Sequence, residues 1–146
     1  MYYTQNDARH LPVIVFIQGS HWSRGSLVQW ETWAQTLHQA GYVVVIPQLR
    51  HLPHHKLNKM TFDVVKAAQW VYMHVEYVFF KFLQKRNYGG DPSQIYLMGH
   101  ESGAHLALLA LLKSTRVLQK YTETLQESIG QMVQRGTLPP IYGLVL

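Results

Sequence analysis

Ile95-Tyr96-Leu97-Met98-Gly99-His100-Glu101-Ser102-Gly103-Ala104-His105 is the stretch whose reading decides the fold. The apolar run 95–98 reads as a buried strand, and 104–112 as the helix that follows it. Between them, Gly99 and Gly103 lack a Cβ and so let strand and helix close on one another. The apex of a turn bracketed in this way is position 101, occupied by Glu101, and Ser102 falls one place later.

Working outward, the same strand-then-helix unit recurs. Val13-Ile14-Val15-Phe16-Ile17 is an unbroken, β-branched run ended by Gly19, as in a strand covered on both faces. A helix is expected over 30–39, stopped by Gly41, and then a second buried strand over 42–46, ended by Pro47. The next helix is expected to begin near Thr61-Phe62-Asp63, with Val64, Val65, Ala68, Val71 and Tyr72 spaced along one buried face. Gly89-Gly90-Asp91-Pro92 breaks the chain before the strand at 95–98, and Ile141-Tyr142-Gly143-Leu144-Val145-Leu146 reads as the last strand. The order β-α-β-α-β-α-β predicts an α/β protein with a doubly wound, mostly parallel sheet, as a single domain over 1–146. Ligands in such sheets bind beyond the carboxyl ends of the strands. Those ends carry Gln18-Gly19-Ser20-His21-Trp22, Pro47-Gln48-Leu49-Arg50 and His100-Glu101-Ser102.

Composition narrows the function classes. With 146 residues and 47% hydrophobic content, the chain has the means to bury roughly two-thirds of its unfolded surface. The net charge is +5, but the cations are dispersed from Arg9 to Arg135, so no nucleic-acid partner is expected. Without cysteine there is no disulfide, thiolate zinc site or cysteine nucleophile in these residues. No basic-then-apolar leader and no run near ~18 apolar residues is present, so the expectation is a cytoplasmic protein without membrane attachment. His51, His54 and His55 lie close together, yet no carboxylate or helical i, i+4 spacing organises them, so neither a metal nor another cofactor is expected.

Four separated motifs carry a family resemblance: PVIVFIQGSHW at 12–22, GYVVVIPQLR at 41–50, YGGDPSQIYLMG at 88–99 and HESGAH at 100–105. Through them the chain from Pro12 to Leu112 resembles the α/β-hydrolase fold, in the esterase branch of hormone-sensitive-lipase-like esterases, kynurenine formamidases and isoprenylcysteine methylesterases. The resemblance implies a small ester or amide substrate, a serine at the apex of the strand-to-helix elbow, and an oxyanion hole built from backbone N–H groups. Carried onto this sequence, the apex is Glu101, and the oxyanion positions are Gly19, Ser20 and Ser102. Ser102 is the candidate nucleophile only in a register shifted by one residue, which puts the bulky His100 where the elbow wants a small residue. A carboxylate nucleophile at Glu101 is the other chemical reading. His100 is assigned no catalytic role, His105 a structural one, and Trp22 a packing role.

The family's acid and histidine follow the nucleophile on loops after later strands, and these positions would fall beyond Leu146. The expectation is therefore a partial α/β-hydrolase domain with a degraded elbow, related to ester and formamide hydrolases and inactive or incomplete as this chain. The alternatives are an active serine carboxylesterase, with Ser102 as nucleophile and the acid and histidine supplied from beyond Leu146, and a noncatalytic binding or scaffold module. Two segments depart from the family pattern. Residues 78–87 look inserted and hold Phe79, Phe80 and Phe82, which if exposed would suit a partner or a membrane surface. Residues 113–135 space Leu118, Tyr121, Leu125, Ile129 and Met132 as an amphipathic helix. The last strand, at 141–146, would expose an edge that favours self-association.

Overall fold

The computed structural model describes residues 2–3, 10–19, 26–75, 88–121 and 137–146. Among them the order is β1 (Tyr2–Tyr3), β2 (Leu11–Ile17), a 3-10 turn (Leu27–Trp30), α1 (Glu31–Gln39), β3 (Val43–Val45), α2 (Leu57–His74), β4 (Gly90–Gly99), α3 (Ser102–Tyr121) and β5 (Gly143–Val145). The sheet runs β1-β3-β2-β4-β5, with β3, β2, β4 and β5 parallel and β1 antiparallel on the edge beside β3. This is the doubly wound α/β sheet expected from the strand and helix order.

Alternation along the strands divides the core in two. Val13, Val15 and Ile17 of β2 point to the face covered by α2 and α3, where Val43, Ile95 and Leu97 join them. Ile14 and Phe16 point to the opposite face, against Val44, Ile46 and Ala34. Both sets are buried, which explains why β2 reads as a continuous apolar run. Each such side chain contributes about 1.5–3 kcal/mol relative to exposure. On the α1 face the Phe16 ring lies 4.8 Å from that of Trp30 and 4.3 Å from that of Trp33.

Several boundaries differ from the sequence reading. The helix expected from Thr61 begins at Leu57, because Thr61 Oγ1 donates back to the Leu57 carbonyl at 2.9 Å instead of capping the helix. The strand expected over 95–98 starts at Gly90, since Gly90 pairs with Leu11 across a register shift in β2. The helix expected over 104–112 runs without interruption from Ser102 to Tyr121 and so takes in the first part of 113–135. The last strand is shorter than 141–146 and covers Gly143–Val145. Residues 78–87, with Phe79, Phe80 and Phe82, and residues 122–135 lie outside the described residues.

Two buried polar contacts anchor the approach to β5. Gln69 Nε2 of α2 donates to the Thr137 carbonyl at 2.6 Å, and the Leu138 N–H donates to Ser114 Oγ of α3 at 2.9 Å. They satisfy backbone groups that burial would otherwise strand away from water.

Candidate functional site

The turn between β4 and α3 is the most constrained part of the site. Glu101 has φ of +50°, and it is the single non-glycine residue with positive φ among the described residues. That conformation costs an L-residue about 1–2 kcal/mol, so packing must hold it. The packing comes from the two flanking glycines. A Cβ on Gly99 would lie 2.7 Å from Ala104 N, and one on Gly103 would lie 2.6 Å from the Ile17 carbonyl carbon. The His100 N–H donates to the Ile17 carbonyl at 3.1 Å, and the Gly103 N–H closes the turn onto the His100 carbonyl at 2.8 Å. The His105 N–H then reaches the Glu101 carbonyl at 3.3 Å, which starts α3. Glu101 is thus the strained apex, and Ser102 is the first residue of the helix.

The end of β2 packs directly beneath this apex. A Cβ on Gly19 would lie 2.7 Å from Glu101 Cβ and 3.0 Å from Glu101 Oε2, and would collide with the His100 carbonyl oxygen. Only glycine fits there, and the glutamate side chain lies over it. Gln18, just after β2, is 5% exposed, and neither polar atom of its side chain has a partner among the described residues. Ser20, His21 and Trp22 lie outside the described residues. The structure therefore brings together three of the four expected positions: Gly19, Glu101 and Ser102.

The histidines are scattered. The exposed His100 sets its ring 5.1 Å from that of Trp30, edge to face. His105 is exposed on α3. Among the described residues no group of three or more His, Cys, Asp and Glu is arranged to hold a metal, His51, His54 and His55 included.

One pairing escaped the sequence reading. Arg50, after β3, donates from Nε to Asp63 Oδ2 at 2.8 Å and to Oδ1 at 3.1 Å. Its Nη2 also donates to Asp63 Oδ1, and its backbone N–H reaches Asp63 Oδ2 at 3.1 Å. The hydrogen bonds it donates to Asp63, more than the charge of that carboxylate, raise Arg50 above the ordinary arginine value. This clamp ties the loop after β3 to α2 and lines an open cleft of about 600 Å³ with Gln48, Leu49 and Lys66. Arg50 stood in a quoted motif and Asp63 at an expected helix start, but a separation of 13 residues leaves no local pattern to join them.

A mostly parallel sheet, a strained strand-to-helix elbow flanked by glycines, and a glycine packed beneath that elbow just after the neighbouring strand together define an α/β-hydrolase of the esterase type. The chain belongs to the BD-FAE family, whose model matches residues 1–137. It is 27% identical over 113 residues to the probable isoprenylcysteine alpha-carbonyl methylesterase ICMEL1 of Arabidopsis thaliana, a match covering 77% of this chain and 22% of that protein. It is 31% identical over 102 residues to the probable carboxylic ester hydrolase LipM of Mycobacterium tuberculosis, covering 69% of this chain and 21% of that protein. Among solved structures it is similar to Thermogutta terrifontis esterase 2 phosphoramylated by tabun, with a TM-score of 0.60 and 27% identity, covering 75% of this chain and 40% of that one. The chain is thus related to carboxylic ester hydrolases, and it spans about a quarter or less of the length of these two curated relatives. Among the described residues no helix is long and apolar enough to cross a membrane.

Proposed function

We propose that this chain carries the elbow half of an esterase-type site whose nucleophile position is held by a carboxylate, and that Ser102 does not act as a serine nucleophile. One observation carries the reading: the strained φ of +50° falls on Glu101 and not on Ser102. In an elbow of this kind the strained residue is the one whose side chain projects above the sheet towards substrate. The residue after it contributes its backbone N–H to the oxyanion hole, and this is the role open to Ser102.

Glu101 is a poor replacement for serine in ester hydrolysis. A carboxylate attacking an ester carbonyl forms a tetrahedral adduct whose more basic alkoxide resists expulsion, so collapse returns the carboxylate. An alcohol nucleophile exchanges one alkoxide for another and has no such handicap. The substrate class of the relatives is a carboxylic ester, and this is the class that an intact site of this kind would take. The reading is of an esterase scaffold that keeps the fold of the site without its serine chemistry.

The test is reaction of the full-length natural protein with a fluorophosphonate probe, followed by peptide mapping. No adduct at Ser102 is expected from a protein whose fold is verified by circular dichroism. An adduct at Ser102 that Ser102→Ala abolishes would overturn the reading and establish an active serine esterase.

A further inference from the structure

The cleft beside the Arg50–Asp63 clamp is separate from the elbow. It opens where the chain leaves β3, whereas the elbow follows β4, and β2 stands between those two strands in the sheet. Crevices beyond the carboxyl ends of strands are the usual ligand positions in sheets of this kind. At about 600 Å³ this one has the size of a small-molecule site and exceeds what an inorganic ion needs. Its lining has the chemistry of an anion receptor. Arg50 is held by Asp63 through Nε, Nη2 and its backbone N–H, and Nη2 also donates to the Lys59 carbonyl at 3.2 Å. Among the described residues the Nη1 donors have no such partner. The guanidinium is thus fixed before a ligand arrives, so ordering it adds little to the cost of binding. Lys66, exposed on α2 with Nζ 5.3 Å from the centroid of the Phe62 ring, lines the same cleft.

Asp63 offsets Arg50, so the lining keeps a surplus of one positive charge, which matches a monoanion better than a doubly charged phosphate. Asp63 is also the sole carboxylate between Glu31 and Glu76 in the sequence, while Lys56 and Lys59 add to the positive field of the same stretch. Pro47, Leu49 and Ala67 supply the apolar part of the wall. We propose that this cleft binds a small organic carboxylate, with Arg50 and Lys66 as the cationic partners of its oxygens and Pro47, Leu49 and Ala67 as the wall for its alkyl chain. The proposal does not depend on which residue stands at the apex of the elbow.

The test is titration of the full-length natural protein with butyrate, monitored through the backbone-amide NMR shifts of Leu49, Arg50 and Ala67, in parallel with neutral butyramide and with inorganic phosphate. Butyrate is expected to move these amides in a saturable way. Lys66→Gln changes an exposed side chain and is expected to weaken that binding at least about fivefold, with Lys66→Arg restoring it. Added salt is expected to weaken it as well, because the cleft is open to solvent. Equal shifts from butyramide, or an affinity that Lys66→Gln leaves unchanged, would overturn the proposal, since charge would then not be what the cleft reads. Tighter binding of phosphate than of butyrate would overturn the carboxylate class. No saturable shift at the three amides, or shifts confined to residues 99–103, would overturn the site. Failure here leaves the proposed function intact, because these amides do not report on Ser102 reactivity, and fluorophosphonate labelling of Ser102 would leave the cleft as proposed.

Discussion

A methyl group at position 103 would meet the backbone of Ile17 and Gln18, with the Gln18 carbonyl carbon at 2.8 Å. A methyl group at position 41 would meet nothing within 4 Å, although Gly41 has φ of +93°. The two glycines separate crowding from backbone strain. Gly41→Ala pays for conformation alone, roughly 1 kcal/mol. Gly103→Ala must push β2 away from the elbow, and overpacking a filled site costs about 1–3 kcal/mol even when the neighbours are flexible side chains. Urea denaturation is expected to show the larger loss at position 103, and equal losses would mean that the close approach of β2 to the elbow is not as described. At this scale the sequence was informative, since glycines at 99 and 103, matched to the elbow of the resembled family, put position 101 at the apex. Gln18 was not legible in the same way. Its burial follows from what packs around the end of β2, and no local pattern announces it.

Strand centres were legible in the sequence, whereas element ends were not. The runs in β2 and β3 are apolar because both of their faces are buried, and that requirement is written into every residue of the run. Ends depend on capping and pairing. Lys56 precedes α2 without a side-chain cap, so neither a capping serine nor a capping aspartate marks the start. At the start of β4, Asp91 looks like a turn residue and behaves as one inside a strand. Its carboxylate accepts from Ser93 Oγ at 2.6 Å, from Gln94 Nε2 at 2.8 Å and from the Ser93 N–H at 2.8 Å. These bonds, the Ser93 hydroxyl first and Gln94 next, hold the carboxyl below its ordinary value of 3.8. A carboxyl with a lowered folded value stabilises the fold above its unfolded value and loses that contribution as pH falls through the folded one. Asp91→Asn is therefore expected to lower the urea midpoint at neutral pH, and the gap to wild type should shrink once pH drops below about 4. A gap that stays constant from pH 7 to pH 2 would show that the hydrogen bonds do not favour the charged form.

At the scale of the whole molecule, the contacts hardest to foresee are the ones that join distant segments. Arg50 with Asp63, Gln69 with Thr137 and Ser114 with Leu138 each link one piece of the chain to another, and no spacing rule predicts such partners. The doubly wound, mostly parallel character of the sheet was more accessible, because alternating strands and helices with right-handed crossovers leave few arrangements. Within that sheet, the elbow is where β2, β4 and α3 converge, so the strain at its apex is held by the packing of all three. The most direct test of the account is a pair of glycine variants compared by urea denaturation. Glu101→Gly removes a left-handed non-glycine residue and is expected to raise stability by about 0.5–1 kcal/mol. Ser102→Gly places glycine inside the first turn of α3 and is expected to lower it by a few tenths to about 1 kcal/mol. The reverse pattern, with stability gained at 102 and lost at 101, would put the apex on Ser102 and contradict the account.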